Sequence, residues 1–277
     1  RTFLDLKLHA GAFARLAGFS LLCAGPAFAA GDLLVAPTRV ILDGSRGTEV
    51  ILNNIGSEPA TYRVSIELRR MLPDGSLEEV DAAKADAHDA TTLGMISYAP
   101  RRVVLPPNQP QSIRIGVRAP QGLPDGEYRA HMLFRAIPDA KPVEPDASRK
   151  DGVSIALTPI YGVTIPVIVR RGSLVATAVI ADPRLLHDED GAALAFTLAR
   201  SGTRSVYGRI RVTKPGFAKP VMEVRGIAVY AEIGQRTVKL PVPDDLAATL
   251  PGPVKIEYLE DNDAGGGTIA SLDAVIR

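Results

Sequence analysis

Residues 153–169 read VSIALTPIYGVTIPVIV, and nearly every odd position in this stretch is apolar. Val153, Ile155, Leu157, Tyr161, Val163, Ile165, Val167 and Val169 share one face, with Pro159 among them. Ser154, Ala156, Thr158, Gly162 and Thr164 lie on the other, where Ile160 and Ile168 are the exceptions. Period two with β-branched residues predicts a β-strand with one oily face. An ordinary strand has about 5–6 residues, so this one is long enough to serve its own sheet at one end and something else at the other. Pro159 and Pro166 lack an amide proton and suit a sheet edge.

The rest of the chain predicts more of the same. Residues 60–71 alternate with Tyr62, Val64, Ile66 and Leu68 inward, and residues 112–119 do so with Ile113, Ile115 and Val117. Turn signals such as Leu72-Pro73-Asp74-Gly75 and Leu123-Pro124-Asp125-Gly126 separate the runs. Residues 78–93 are acidic, alanine-rich and weakly patterned, and read as a surface connection with at most a helical turn. Residues 139–152 carry charges and proline and read as a loop. Strands at this spacing predict an immunoglobulin-like sandwich up to residue 170. Arg170-Arg171-Gly172 reads as a hinge, after which a second β domain is expected over 171–277. Its strands are read at 174–180, 192–199, 207–213, 221–224, 226–232, 237–240, 254–258 and 268–276.

Residues 1–29 read as a secretory signal peptide. Lys7 and Arg15 precede an apolar run, which ends in Ala27-Phe28-Ala29. That run is shorter than the roughly 20 residues a membrane span needs. The only cysteine, Cys23, falls inside it, so a mature chain beginning near residue 30 has no disulfide to rely on. The predicted address is the periplasm. With 32 basic and 31 acidic residues and no tryptophan, the chain offers neither the charge nor the stacking surface that nucleic acid requires.

Catalytic groups do not converge in the sequence. His88, His131 and His187 stand apart, without metal-ligand spacing. His131 reads as a sheet histidine and His187, beside Asp188-Glu189-Asp190, as part of a solvated hairpin. Asp261-Asn262-Asp263 has alternating oxygens but no calcium-loop continuation, and reads as a turn. No nucleophile elbow, phosphate loop or dinucleotide fingerprint is present. The expectation is a non-enzyme with no cofactor and no metal.

Thr38-Arg39-Val40 lies near the expected mature start, and the run from Leu123-Pro124 to Phe134-Arg135-Ala136-Ile137-Pro138 follows. A charged loop and the long alternating strand come after it. In this order the chain resembles the PapD-like periplasmic chaperones of chaperone–usher pilus assembly, over about residues 33–171. The second domain is compatible in length and class, with residues 226–240 its most family-like segment.

The resemblance implies an all-β chain of two immunoglobulin-like β-sandwich domains in a boomerang (L-shaped) arrangement. It implies a chaperone of pilus and fimbrium biogenesis that binds pilin-like subunits by donor-strand complementation and delivers them to an outer-membrane usher. The donor strand would be Val153, Ile155, Leu157, Tyr161, Val163 and Ile165. Five such side chains at about 1.5–3 kcal/mol each would contribute roughly 8–15 kcal/mol before the cost of association. Arg39 matches the arginine that anchors the subunit's C-terminal carboxylate, a role that suits a guanidinium fork. The family's second basic anchor has no counterpart. Its place falls at Gly162 or Pro166, and Arg170 and Arg171 are the nearest basic residues. When unloaded, such an oily edge is an aggregation hazard that self-association would cap. The alternative is an exported structural or adhesive β-sandwich, a fibre subunit.

Overall fold

The computed structural model describes residues 33–44, 46–138, 160–189 and 191–277. The signal-peptide reading and the candidates Val153, Ile155 and Leu157 lie outside the described residues.

The first part of the chain forms β1 (Leu33–Ala36), β2 (Val40–Leu42), β3 (Thr48–Asn54), β4 (Ala60–Glu67) and the small hairpin β5 (Arg69–Met71) and β6 (Leu77–Glu79). Helix α1 (Ala87–Met95), β7 (Ile96–Ala99), β8 (Arg102–Leu105), β9 (Gln111–Val117), β10 (Gly126–Ile137) and β11 (Gly162–Arg171) complete it. One sheet has the order β1-β3-β9-β7 and the facing sheet β2-β11-β10-β4-β8. The opening strand is split between the two sheets, as β1 and β2, and the remaining order is that of an immunoglobulin sandwich. Its tyrosine corner is also present: the Tyr128 hydroxyl, near the start of β10, donates to the carbonyl of Pro124 at 3.0 Å. Apolar residues from both inner faces, among them Leu52, Val64, Ile113, Met132, Phe134 and Val167, close the core.

The second part forms β12 (Ala176–Asp188), β13 (Gly191–Gly202), β14 (Val206–Thr213), β15 (Met222–Val229), β16 (Gln235–Val242), the single-turn helix α2 (Asp244–Ala247), β17 (Gly252–Glu260) and β18 (Gly267–Ile276). Sheets of order β12-β13-β16 and β15-β14-β17-β18 pack around Leu194, Phe196, Ile210, Ile256 and Tyr258. The all-β, two-sandwich expectation holds.

Four local readings are corrected. Residues 87–95 are helical because Asp86 and Asp89 form a reciprocal capping box, with Asp86 accepting from the Asp89 amide at 2.8 Å. The strand read at 60–71 breaks at Leu68, where the chain leaves the sheet to build the β5–β6 hairpin. The two strands read at 221–224 and 226–232 are one, β15, which bends through Gly226 in the left-handed region at φ 81°. The strand read at 174–180 continues to Asp188 past an irregularity between Ala181 and Arg184.

Candidate functional site

Strand β11 has one covered side and one that is mostly open. Along its whole length it pairs with β10, antiparallel, from Gly162 opposite Arg135 to Arg171 opposite Gly126. On the other side β2 covers only Val167, Ile168 and Val169, in parallel register with Val40, Ile41 and Leu42. The Ala136 amide donates to the Tyr161 carbonyl at 2.8 Å. Antiparallel pairs alternate between hydrogen-bonded and non-hydrogen-bonded, so Val163 and Ile165 turn their backbone groups to β10. Gly162, Thr164 and Pro166 then turn theirs outward, into a lane with no strand in it among the described residues. Pro166, without an N–H, sits where no β10 bond is lost. Five residues of lane span roughly 17 Å.

The side chains of β11 read into the donor set face inward where the structure describes them. Ile165 is 2% exposed and Val163 is partly buried, and both pack into the core of their own sandwich. Alternation identified the oily face correctly but not the body it packs against. Tyr161 and Ile160, just before the strand, are exposed, at 46% and 51%.

Arg39 immediately precedes β2, so by the register of β2 it lies level with Pro166, at the closed end of the open lane. Its side chain is 4% exposed. Its guanidinium lies 4.3 Å from the Tyr207 ring centroid, a cation–π contact, and Nη1 stands 3.6 Å from Asp263 Oδ2. None of its three nitrogens has a hydrogen-bond partner among the described residues. Burial pulls the Arg39 pKa down from its usual value, while Asp263 opposes the shift and the neighbouring Arg170 adds to it. The group stays charged, since guanidinium does not lose its proton in proteins. A buried cation with free N–H groups is an anion receptor in waiting.

Arg170, read from sequence as part of a hinge, belongs to the same cluster. Its Nε donates to Glu127 Oε2 at 3.0 Å, Nη1 to the Ala264 carbonyl at 3.2 Å and Nη2 to the Ser205 carbonyl at 3.3 Å. Glu127 also accepts the Ser205 amide at 3.1 Å, which ties β10 and β11 to the second sandwich. Arg171 stays outside, half-exposed and 3.9 Å from Asp125.

Sequence reasoning placed His131 in a sheet, as found, but did not see that the outer face of β10 is covered. Glu127, Arg129 and His131 occupy alternate positions on it, and all three are buried. Arg129 lies over the Tyr230 ring at 3.8 Å, donates to the Arg69 carbonyl at 2.9 Å and pairs with Glu232. His131 is 1% exposed with Arg129 Nη1 3.3 Å away, and burial together with Arg129 and Arg69 pushes its pKa down to about 3. The β5–β6 hairpin completes the junction: Glu232 accepts the Met71 amide at 2.9 Å, and the Pro73 carbonyl accepts the Thr237 amide at 2.7 Å. Met71 packs with Ala228 and Tyr230. The only available signal was the period-two placement of charges opposite Tyr128, Ala130, Met132 and Phe134.

No group of metal-ligating side chains occurs among the described residues, and His187 stands exposed on β12, paired in register with Ala192. No helix among them is long and apolar enough to cross a membrane.

No protein-family model and no curated protein matches this chain. Solved structures similar to it include the YadV chaperone, 14% identical, covering 88% of this chain and 99% of that one at a TM-score of 0.46. The E. coli chaperone DraB is 17% identical, covering 88% and 96% at a TM-score of 0.45. The Salmonella enterica SafA pilin in complex with the SafB chaperone matches at 16% identity, covering 88% and 96% at a TM-score of 0.43.

Proposed function

We propose that this chain is a periplasmic assembly chaperone that lends the open side of β11, with the alternating segment before it, to an incomplete pilin-like subunit. It would then pass that subunit to an outer-membrane usher. The observation that carries the reading is the coincidence of a lane beside Gly162, Thr164 and Pro166 that holds no strand among the described residues with the buried Arg39 at its closed end, whose nitrogens have no hydrogen-bond partner among those residues. Backbone groups on an unpaired edge recruit a strand, and pockets for alternate side chains select it.

The guanidinium suggests a direction. Its fork suits a terminal carboxylate, so a strand that fills the lane would end at Arg39 with its C-terminus and run from the Gly162 side to the Pro166 side, parallel to β11. Within the donor set, Tyr161 and the upstream Val153, Ile155 and Leu157 act on the subunit. Val163 and Ile165 hold the lender's own core in place.

The test is Thr164→Pro, which deletes an outward N–H and leaves the β10 ladder intact, alongside Ile155→Glu/Leu157→Glu. Each variant should keep a wild-type far-ultraviolet spectrum and lose at least about ten-fold in affinity for a co-expressed pilin-like subunit, equivalent to about 1.4 kcal/mol. Undiminished capture by both folded variants would remove the strand-lending reading.

A further inference from the structure

The turn between β17 and β18 touches both Arg39 and the partly buried Arg170 at once. The Asp261 carbonyl accepts the amides of Ala264, Gly265 and Gly266 at 2.9, 3.1 and 3.0 Å, and the Asp261 amide donates to the Tyr207 carbonyl at 3.0 Å. The chain thus folds back beside Tyr207, whose ring carries Arg39. Two consecutive residues of this turn then reach the cleft. Asp263 brings its carboxylate to Arg39, and the Ala264 carbonyl takes Arg170 Nη1.

The two contacts differ in strength. The 3.6 Å separation of Asp263 Oδ2 from Arg39 Nη1 is beyond hydrogen-bond distance, and the Asp263 side chain is 54% exposed. Such a pair is worth little, because water screens it. Arg39 itself, 4% exposed, cannot be reached from solvent while the turn stays where it is. Gly266 and Gly267 follow at φ 77° and 79°, a backbone region that other residues rarely adopt, and they link the turn to β18.

We propose that residues 261–266 are a displaceable plug in which Asp263 holds the place of an incoming carboxylate. Moving the plug uncovers Arg39 and, in the same step, releases Arg170 Nη1 from the Ala264 carbonyl. The carboxylate is then received by two arginines, with Arg170 still positioned through its Nε on Glu127. This rests on the reading of Arg39 as an anchor, and it supplies the second basic group from the hinge end of β11.

The probe is a ten-residue peptide of alternating valine and serine, made with a free C-terminal carboxylate and as the C-terminal amide. Binding to the full mature chain is measured calorimetrically for wild type, Asp263→Asn and Arg39→Ala. Hydrogen exchange at the Ala264, Gly265 and Gly266 amides is followed in the same samples. Asp263→Asn should tighten the free-acid peptide by about two- to five-fold and leave the amide unchanged. Arg39→Ala should remove most of the preference for the acid, leaving the part that Arg170 supplies. Exchange at Ala264 to Gly266 should accelerate when the free-acid peptide binds.

If Asp263→Asn leaves the acid's affinity unchanged or weakens it while Arg39→Ala still removes most of the preference, Asp263 is a fixed counter-ion. The plug is then refuted and the anchor stands. Unaltered exchange on binding refutes displacement in the same way. Preference for the acid that is undiminished in Arg39→Ala, or no binding of either peptide to any form, overturns the anchor and the plug together.

Discussion

Removing the Glu232 carboxylate should loosen the junction between the two sandwiches. Glu232 accepts the Met71 amide at 2.9 Å and pairs with Arg129, whose side chain is 6% exposed. In Glu232→Ala both donors lose their acceptor. An orphaned buried amide costs about 1–3 kcal/mol. Breaking a fully buried ion pair costs about 3–5 kcal/mol, but Glu232 keeps 21% exposure, so water can reach the site and the charge contribution is well below that. Arg129 also retains the Arg69 carbonyl and the Tyr230 ring. The expected total is about 2–4 kcal/mol. Glu232→Gln keeps an acceptor for Met71 and should cost about half as much. In a double-mutant cycle with Arg129→Met, which withdraws the buried charge itself, the coupling should be at least about 1 kcal/mol. Urea unfolding of the protein reads these values, and small-angle scattering reads whether the sandwiches swing apart. A loss below about 0.5 kcal/mol with no coupling would show that the hairpin contacts are incidental to the junction.

Three further outcomes follow from individual sites. His131, held neutral in the fold to about pH 3 but protonated below 6.5 once unfolded, contributes stability that is complete above pH 6.5. That contribution falls as the pH drops toward 3, by up to about 1.4 kcal/mol per pH unit; His131→Gln should flatten the dependence of the urea midpoint between pH 6.5 and 5, and parallel curves would contradict this. Gly208→Ala should lower stability by more than about 2 kcal/mol, because an added Cβ would lie 2.0 Å from the Leu259 carbonyl oxygen where β14 meets β17; a wild-type melting temperature would disprove it. Tyr128→Phe removes the hydroxyl bond to Pro124 and should cost about 1 kcal/mol by the same melt, with no change in subunit capture.

The strands were legible because each sheet face is either core or not, and period two records which. Tyr62 and Val64 on β4, or Ile113 and Ile115 on β9, could be assigned inward from alternation alone. Alternation is silent on which body covers a face. It could not show that Val163 and Ile165 serve their own sandwich, nor that Glu127, Arg129 and His131 face a second sandwich instead of water. Both questions turn on contacts between residues far apart in the chain. Arg39 was found only through the Thr38-Arg39-Val40 resemblance; its level with Pro166 is a property of parallel pairing that no local pattern encodes. The helix at 87–95 did leave a local mark, since Asp86 and Asp89 stand at capping-box spacing, but in a short acidic stretch with little apolar pattern.

The division of labour along β11 follows from the energies. Gly162 and Thr164 offer the lane an N–H and a C=O each, and Pro166 a C=O alone; in the free chain water satisfies them, so the open edge costs little. On pairing, each bond gains about 0.5–1.5 kcal/mol net, and a carboxylate received by Arg39 about 1.5–3 kcal/mol. Together these come to roughly 4–10 kcal/mol, about the size of the translational and rotational freedom lost on association. If β11 lends its edge as proposed, the lane and its arginine therefore set register and direction without holding a subunit on their own. Holding it requires apolar burial, which Val163 and Ile165 cannot supply, because they are spent on the lender's own core. It must come from Tyr161 and the residues before it. Charged substitutions there should abolish capture outright, whereas Arg39→Ala should leave a weak complex with relaxed register.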